Sequence, residues 1–568
     1  MKGNALLLFL MVPFLLRAQL TYHTGFGLGN TGQDDGNAIV VDQSGNVYAA
    51  GTYQFWIDLD PGPGTSVVTS TGATDIFLAK YTASGQLVWG KTFGSSGDDE
   101  ISGMDMDDSG NIYLIGYFSG TIDFGGGILT GQAGSRDFYV AKMDENGQHI
   151  WSKRFGGAGD DNGNSIRVNG SGTAIAICGS FQESMTLGSS LLISNASSGY
   201  SNAFVALLNG NGDVQWAYAF GGSGFVFDRA MDVAMNQAGT VYVIGNFSGS
   251  NVDIDPGTGA HLLTSNGSSD IFVVWYNAAG TFQDGFSIGG STGELGGGID
   301  VDTDGSIYIT GYSNSDSIDV DPQSGTAWLT GESGILYVQD LIVVKYNSNG
   351  EYQWGFRTGK RATDSGQDIK TDGKGNLFVT GITGDANVDF DPGTGTHYLS
   401  GDSMVLTNSV AFLAQYSTDG SFVDAFTLTG VGSGRALAVS DNGKVWLTGY
   451  YRSGAIGPDP VSPADTISNA GSWDVFVAGY RYPVATGVRP QEEHLSVSLV
   501  PAGDFVIVKG VQNLDSRIAI YDMTGKAVRY PRAGDNGKIS LEGLRAGVYF
   551  ISMESPDKFF ITKVIKLQ

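Results

Sequence analysis

The stretch DDSGNIYLIG at 107–116 decides the fold, because the chain repeats it along most of its length. It recurs as DQSGNVYAAG at 42–51, NQAGTVYVIG at 236–245, DTDGSIYITG at 302–311, DGKGNLFVTG at 372–381 and SDNGKVWLTG at 440–449, with GTAIAICG at 172–179 as a drifted copy. In each full copy a turn rich in Asp, Asn, Ser and Gly leads into β-branched and aromatic residues that end on glycine. The closing glycines Gly51, Gly116, Gly179, Gly245, Gly311, Gly381 and Gly449 lie 65, 63, 66, 66, 70 and 68 residues apart. A period of this kind marks a repeat architecture with one supersecondary unit per copy.

Outward from 107–116 the unit reads as four strands. Residues 101–107 alternate Met104 and Met106 with small or polar positions, and the turn Asp108-Ser109-Gly110 leads into a strand at 111–117. After a variable stretch come DFYVAKM at 137–143, the turn Asn146-Gly147, and a strand at 148–155 that carries Trp151. Alternation bounded by such turns predicts antiparallel sheet. The DFYVAKM strand returns at 75–81, 203–208, 270–276, 340–346, 411–416 and 474–480. Trp89, Trp151, Trp216 and Trp354, with Phe282 and Phe422, recur in the strand after it. Packing between neighbouring units is the expected role of these rings.

The two ends of the repeat region complete each other. The seventh unit runs through 436–439, 445–450 and 474–480 and stops before a fourth strand. LTYHTGFGLGNTGQDD at 20–35 matches LVWGKTFGSSGDD at 87–99 and the segment 151–161. The expectation is all-β: a seven-bladed β-propeller with four-stranded blades over 19–482, in which an N-terminal strand closes the last blade and removes both free sheet edges. The repeat resembles the SBBP-type β-propeller repeat of secreted bacterial proteins. The resemblance rests on DFYVAKM at 137–143, the Trp-containing strand, Phe155-Gly156-Gly157 and GNIYLIG at 110–116. It spans nearly all of 20–480 and implies a fold without implying an activity.

Composition agrees with many short strands joined by turns: 87 of 568 residues are glycine while 41% are hydrophobic. Lys2, the apolar stretch 5–16 interrupted only by Pro13, and the small Ala18 predict a signal peptide at 1–18, too short to be a comfortable membrane span. No transmembrane segment is expected later. Cys178 is the only cysteine and reads as a small core residue. The net charge is −27, and it is unevenly placed. Residues 19–490 hold 19 basic against 49 acidic residues, whereas 491–568 hold 10 against 9. So acidic a surface repels nucleic acid and anionic lipid.

Beyond a linker at 483–494 the repeat ends, and 495–568 reads as a small Ig-like β-sandwich with strands at 505–509, 517–521, 538–541, 547–553 and 558–567. This region resembles the type A C-terminal sorting domain of the type IX secretion system of the Bacteroidota. The matching stretches are IYDMTGK at 520–526, LRAGVYF at 544–550 and KVIKL at 563–567, while the usual opening Pro-Asn-Pro is reduced to Pro501. The resemblance implies the secretion machinery as partner, passage across the outer membrane, removal of the tail, and an extracellular or outer-membrane-surface destination.

Three sets of acids are candidate sites. Asp58/Asp60, Asp253/Asp255, Asp319/Asp321 and Asp389/Asp391 each precede a proline. Alternate carboxylates on an extended strand point the same way and suit Ca²⁺, although capping of their own turn is the favoured reading. Asp300, Asp302 and Asp304, before Gly305, resemble the first half of a Ca²⁺ loop, as do Asp105, Asp107 and Asp108 before Gly110; neither run has the downstream glutamate. The glycine-rich links between units end in Asp34-Asp35, Asp98-Asp99, Asp160-Asp161 and Asp228, which would either line a ligand-binding rim or tie the links by hydrogen bonds. The five histidines show no ligand spacing, and no nucleophile elbow, phosphate loop or zinc motif is present. The expected function is binding of an extracellular ligand, glycan foremost, by a monomer. The alternatives are a structural or adhesive surface protein that binds only proteins, and a carbohydrate-active hydrolase or lyase whose carboxylate pair is assembled in space.

Overall fold

The computed structural model describes residues 20–331, 338–399, 409–462, 465–468 and 470–483, and, in the C-terminal region, 497–499, 505–508, 517–522, 526–529, 538–545, 547–555 and 558–566. The signal peptide expected at 1–18 and nearly all of the linker fall outside the described residues. The chain forms two compact units, residues 1–484 and 485–568.

The first unit repeats one object, a four-stranded antiparallel sheet whose strands pair in chain order. Sheet A is Asp35–Val41, Val47–Tyr53, Asp75–Tyr81 and Leu87–Phe93. Sheets B to F follow the same plan from inner strands Asp99–Met106, Asn162–Val168, Arg229–Met235, Glu294–Val301 and Ser365–Thr371. Sheet G takes Thr429–Ser440, Lys444–Gly457 and Trp473–Arg481 from the far end of the repeat region and Thr21–Leu28 from its start. Phe26 stands opposite Val477 and Leu28 opposite Val475 in that antiparallel pairing. Inner strands of consecutive sheets lie side by side from A through G, and that of G also meets that of A. The arrangement is propeller-like.

Hydrophobic burial holds each sheet to the next. One core gathers Tyr113, Ile115, Phe138 and Val140 of sheet B with Ile175, Ile177 and Phe204 of C. Another joins Phe26, Trp446 and Val475 of sheet G to Ile39, Val47 and Phe77 of A. The recurrent tryptophans span these seams. Trp151 Nε1 donates to Gly210 O at 3.1 Å, Trp216 Nε1 to Ala278 O at 3.2 Å and Trp354 Nε1 to Thr418 O at 3.2 Å, each reaching a turn of the following sheet. The turn glycine there is needed twice over. Gly212 has φ +76°, and a Cβ on it would sit 2.9 Å from the Trp151 ring.

Between the second and third strands most sheets add a short hairpin, such as Trp56–Asp58 with Val67–Thr69. The drifted third unit departs from the plan. Its hairpin, Ser184–Leu187 with Ser190–Ile193, pairs onto Gly156 and Gly157 and lengthens sheet B to six strands. The second unit contains one sheet of Val497–Leu499, Phe505–Val508 and Lys538–Ser540, and another of Ala527–Arg529, Arg517–Tyr521, Gly547–Ser555 and Lys558–Lys566. No described helix is long and apolar enough to cross a membrane.

Trp446, fully buried where sheet G meets A, is the sharpest probe of this packing. Trp446→Ala should cost roughly 3–5 kcal/mol in urea unfolding. Val461→Ala, at a position 87% exposed, should leave the midpoint unchanged.

Candidate functional site

The Asp-x-Asp-Pro segments are self-capped turns. Asp58 Oδ1 accepts from Asp60 N at 3.1 Å and Ser66 N at 2.7 Å, and Asp60 Oδ1 accepts from Gly62 N at 2.8 Å. The same pattern holds Asp253 and Asp255 through Asp255 N, His261 N and Gly257 N. It recurs at Asp319 and Asp321 through Asp321 N, Ala327 N and Gln323 N, and at Asp389 and Asp391 through Asp391 N, His397 N and Gly393 N. The residue between the two acids is buried, and its carbonyl accepts from a tyrosine of the third strand: Tyr81 to Leu59 O, Tyr276 to Ile254 O, Tyr346 to Val320 O and Tyr416 to Phe390 O. Sequence reading found four such turns. Asp123 and Asp459 cap the corresponding turns of sheets B and G, where Gly125 in place of the second acid and Gly457 in place of the first hid the pattern. Among the described residues no three His, Cys, Asp or Glu side chains gather to hold a metal.

The half-loops separate in the same way. Asp302 Oδ1 caps its turn through Asp304 N and Ser306 N, and Asp107 Oδ1 does so through Ser109 N and Asn111 N. Asp300 and Asp105 lie upstream in inner strands and face the centre of the unit, where a cavity of about 530 Å³ lies. Asp105 Oδ2 accepts from Val168 N at 2.7 Å and Asp300 Oδ2 from Thr371 N at 2.8 Å. Two acids that sequence reading missed do the same: Asp232 Oδ2 accepts from Ile299 N at 2.9 Å and Asp368 Oδ2 from Leu437 N at 2.8 Å. Every tie reaches the inner strand of the next sheet.

Two cations stand among these acids. Lys370 Nζ donates to Asp368 Oδ1 at 2.7 Å, and Arg167 Nη1 lies 4.0 Å from Asp105 Oδ1. Burial works against the charge of Arg167, but the carboxylates of Asp105, Asp300, Asp232 and Asp368 outweigh it and raise its pKa. Burial raises Asp105 and Asp300, opposed by Arg167 and Lys370. The cavity acids are therefore occupied by backbone donors and by these cations.

Above this layer each inner strand carries a β-bulge at one equivalent place. The bulged residues are Asn37, Ser102, Asn164, Met231, Gly297, Gln367 and Arg435, and all of them line the cavity. A bulge re-aims one side chain without breaking the ladder. Asn37 Nδ2 and Asn164 Nδ2 donate to Ile101 O and Ala230 O of the next sheet, at 2.9 and 2.7 Å.

At the ends where the inner strands begin, aromatic and charged groups cluster. The Arg136 guanidinium lies 4.6 Å from the Tyr117 ring centre, Arg229 5.7 Å from Phe227 and Arg435 5.2 Å from Tyr450. Tyr117 Oη donates to Glu100 Oε2 at 2.7 Å. Trp473 stacks on Tyr450 with centres 4.6 Å apart and planes 11° from parallel. Tyr200 packs against Phe227 and against Phe225, which is 80% exposed. Asp35 lies here too: burial raises its pKa and Arg435 opposes the rise.

The link acids divide by burial. Asp34, Asp99, Asp161 and Asp228 are fully buried, and Asp98 is exposed. Asp34 accepts from Asn30 N at 2.9 Å and Gln54 N at 3.1 Å, Asp99 from Ser95 N at 2.6 Å, Asp161 from Gly157 N at 2.6 Å and Asp228 from Ser248 N at 2.8 Å. Burial pushes Asp34, Asp99 and Asp161 up to about 7 and Asp228 to about 6. Asp160 Oδ1 accepts from Arg136 N at 3.0 Å. Glu294 and Asp364 take the same buried place in sheets E and F. Their distance from Gly311 and Gly381, 17 residues as for Asp34 from Gly51, was the available signal.

Residues 500–567 match the secretion system C-terminal sorting domain, so the chain carries an export address in its second unit. An "uncharacterized WD repeat-containing protein L264" of Acanthamoeba polyphaga mimivirus is 22% identical over 533 residues, covering 80% of this chain and 38% of its own. The "regulatory protein FlaEY" of Caulobacter vibrioides is 26% identical over 384 residues, covering 63% of this chain and 37% of its own. The chain thus spans less than two fifths of the length of the curated relatives it matches. Similar solved structures include the Neurospora crassa Pan2 WD40 domain, with TM-score 0.39, 10% identity and coverage of 79% of this chain and 89% of that one. Sqt1 from Chaetomium thermophilum has TM-score 0.36 and 9% identity, covering 82% and 100% of the two chains.

Arg167→Gln would leave Lys370 alone among four carboxylates. It should destabilise the first unit by roughly 3–5 kcal/mol at pH 8, as expected when a buried ion pair loses one partner. The loss should shrink at pH 5, where the carboxylates can protonate. Denaturant midpoints at the two pH values check both halves.

Proposed function

We propose that this chain is a bacterial surface protein whose seven-bladed propeller binds an extracellular glycan at the mouth where the inner strands begin. The observation that carries the reading is the set of separate ring–guanidinium pairs at that end, Tyr117 with Arg136, Phe227 with Arg229 and Tyr450 with Arg435, accompanied by Trp473, Asp35 and Glu100. Flat rings offer the apolar faces of sugars a surface, while guanidinium and carboxylate groups meet hydroxyls with charge-assisted hydrogen bonds. Asp98 and Asp160 extend this rim. Asp34, Asp99, Asp161 and Asp228 support it from below and do not touch ligand.

In this reading Thr21–Leu28 supplies the fourth strand of the last blade, the signal peptide is 1–18, the propeller 19–482, the linker 483–494 and the sorting sandwich 495–568. The secretion machinery of a Bacteroidota cell recognises that sandwich, and the SBBP-type repeat builds the ring. Binding in this reading needs no Ca²⁺: at the Asp-x-Asp turns the Oδ1 atoms serve as caps for backbone N–H groups.

A second reading, a scaffold for other proteins, is favoured by a different feature. Val67, Ile128, Leu191, Leu262, Trp328 and Tyr398 are all exposed on the outer hairpins of successive sheets. A repeated apolar ring of this kind suits protein contact.

A glycan array probed with the full-length chain, with and without Ca²⁺, separates the readings. Binding should be Ca²⁺-independent and should fall at least tenfold in F225A/F227A and in R435A. Absence of binding to every glycan would sink the proposal. Deleting residues 500–567 should leave the chain unsecreted, as cell fractionation would show.

A further inference from the structure

Where one sheet hands the chain to the next, two acids are buried together: Asp474 with Asp34, Asp75 with Asp99, Asp137 with Asp161, Asp270 with Glu294 and Asp340 with Asp364. None is more than 3% exposed. Two ionised carboxylates cannot share such a place without a neutralising partner.

The crossing from sheet C to D shows what that partner does, because Asn202 replaces the first acid. Its Oδ1 accepts from Ser194 Oγ at 2.7 Å and Asn195 N at 2.9 Å, which fixes the amide orientation. Its Nδ2 therefore turns into the crossing, donating to Gly222 O at 2.9 Å and lying 3.5 Å from Asp228 Oδ2. Two further crossings use arginine: Arg154 Nη2 donates to Asp137 Oδ1 at 2.7 Å, and Arg357 Nε donates to Asp340 Oδ2 at 2.8 Å. Each arginine stands two residues before a glycine, Gly156 or Gly359. In the remaining three crossings that position holds Gly27, Thr92 or Ser287.

Those three crossings have no cation among their described partners. Asp34 accepts from Asn30 and Gln54, Asp474 from Ala470 N, Asp75 from Thr71 and Asp99 from Ser95 N. Asp270 accepts from Asn266 N and Gly267 N, and Glu294 from Gly290 N and Ser313 Oγ. The other titratable neighbours are Asp35, Asp98, Tyr53, Tyr139, Tyr312 and Tyr451, which bring no positive charge. Asp474 Oδ1, Asp75 Oδ1 and Asp99 Oδ1 are buried without any donor.

The chain itself shows that the arrangement is built. A glycine follows the first acid or Asn202 by 19 residues at Gly94, Gly156, Gly221, Gly289 and Gly359. A Cβ there would strike the side chain, at 2.4 Å from Asp75 Oδ1 and 2.2 Å from Asn202 Nδ2. Where Val410 replaces the acid, the 19th residue on is Thr429.

We propose that the Asp34–Asp474, Asp75–Asp99 and Asp270–Glu294 pairs each keep a proton at neutral pH, making these three crossings acid-stabilised seams that loosen in alkaline solution. One of them joins sheet G to A, where the two ends of the repeat region meet. Burial places Asp34 and Asp99 at about 7 and Asp270 and Asp474 at about 6, each raised further by the neighbouring carboxylate or opposed only by backbone donors. With folded pKa values above the usual carboxylate range, the folded chain keeps protons that the unfolded chain releases. The stability they contribute is present at low pH and is lost as pH rises through 6 to 7.

Infrared spectroscopy of the full-length chain reads the proton directly. At pH 6 a carboxylic acid C=O band should be present and should weaken towards pH 8.5. D75N/D270N/D474N supplies the amide donor seen at Asn202, so it should weaken that band, leaving the part that Asp161 and Asp228 carry, and show a shallower fall in Tm between pH 5.5 and 8.5. D137N, whose acid already has Arg154, should change the band less than D75N alone does. A wild-type spectrum without the band at pH 6 would overturn the proposal, even if the triple variant fails to fold. So would a triple variant whose band is as strong as the wild type's, or a wild-type Tm at pH 8.5 restored by Na⁺ or Ca²⁺, which would place a cation where the proton is assigned.

Discussion

The interaction on which the first unit depends is the carboxylate of one inner strand accepting a backbone N–H from the inner strand of the next sheet. An inner strand has a sheet partner on one side only, and buried backbone donors on its other side need acceptors. Asp105, Asp232, Asp300 and Asp368 supply them to Val168, Ile299, Thr371 and Leu437. Side-chain amides of Asn37 and Asn164 make the converse contact to Ile101 O and Ala230 O. Hydrophobic seams give most of the adhesion between sheets, but these ties set the angle and distance at which inner strands meet. They run forward along the chain, and the inner strand of sheet G, TGVGSGRALAVS, has no carboxylate with which to continue them to A. That seam relies on the ladder between Thr21–Leu28 and Trp473–Arg481 and on the core around Trp446.

Using carboxylates as structural acceptors has an electrostatic consequence. Acids brought to one axis repel, and burial magnifies the repulsion. The molecule answers locally: Arg167 and Lys370 stand among the central acids, and Arg154 and Arg357 stand beside acids of two crossings. Part of the negative charge that composition presents as a surface property is thus spent inside, on the ties and the buried link acids. The three arginines laid on aromatic rings at the mouth are consequently prominent in an otherwise acidic landscape.

The repeat made the strand plan legible. Turn residues, alternation and the tryptophan position forecast four strands per unit, and the match of 20–35 to 87–99 pointed to pairing between distant ends. The acidic motifs were visible, and capping was the favoured reading of the Asp-x-Asp turns, but the partners of each carboxylate were not. Asp58 and Asp60 look like a ligand pair in one dimension, and the positions of Ser66 N and Gly62 N show that each carboxylate caps the turn through its Oδ1. Asp300, Asp302 and Asp304 look like one loop. In the fold Asp302 caps a turn while Asp300 faces the central cavity, because a strand ends between them. Arg167 and Lys370 carried no signal, since neither belongs to a motif and both matter only through groups more than sixty residues away.

The sequence by itself determined the repeat, the turns, the alternation that buries one side of each strand, and the sorting segment at 500–567. These are local properties, written in residues a few positions apart, and backbone sterics with hydrophobic burial suffice to read them. The tertiary structure alone decided which acids are surface and which are buried pairs, which bulged residues line the cavity, and which rings gather at the mouth. Those outcomes depend on residues from different sheets arriving at one point, and the energy of a buried charge is set by what arrives beside it.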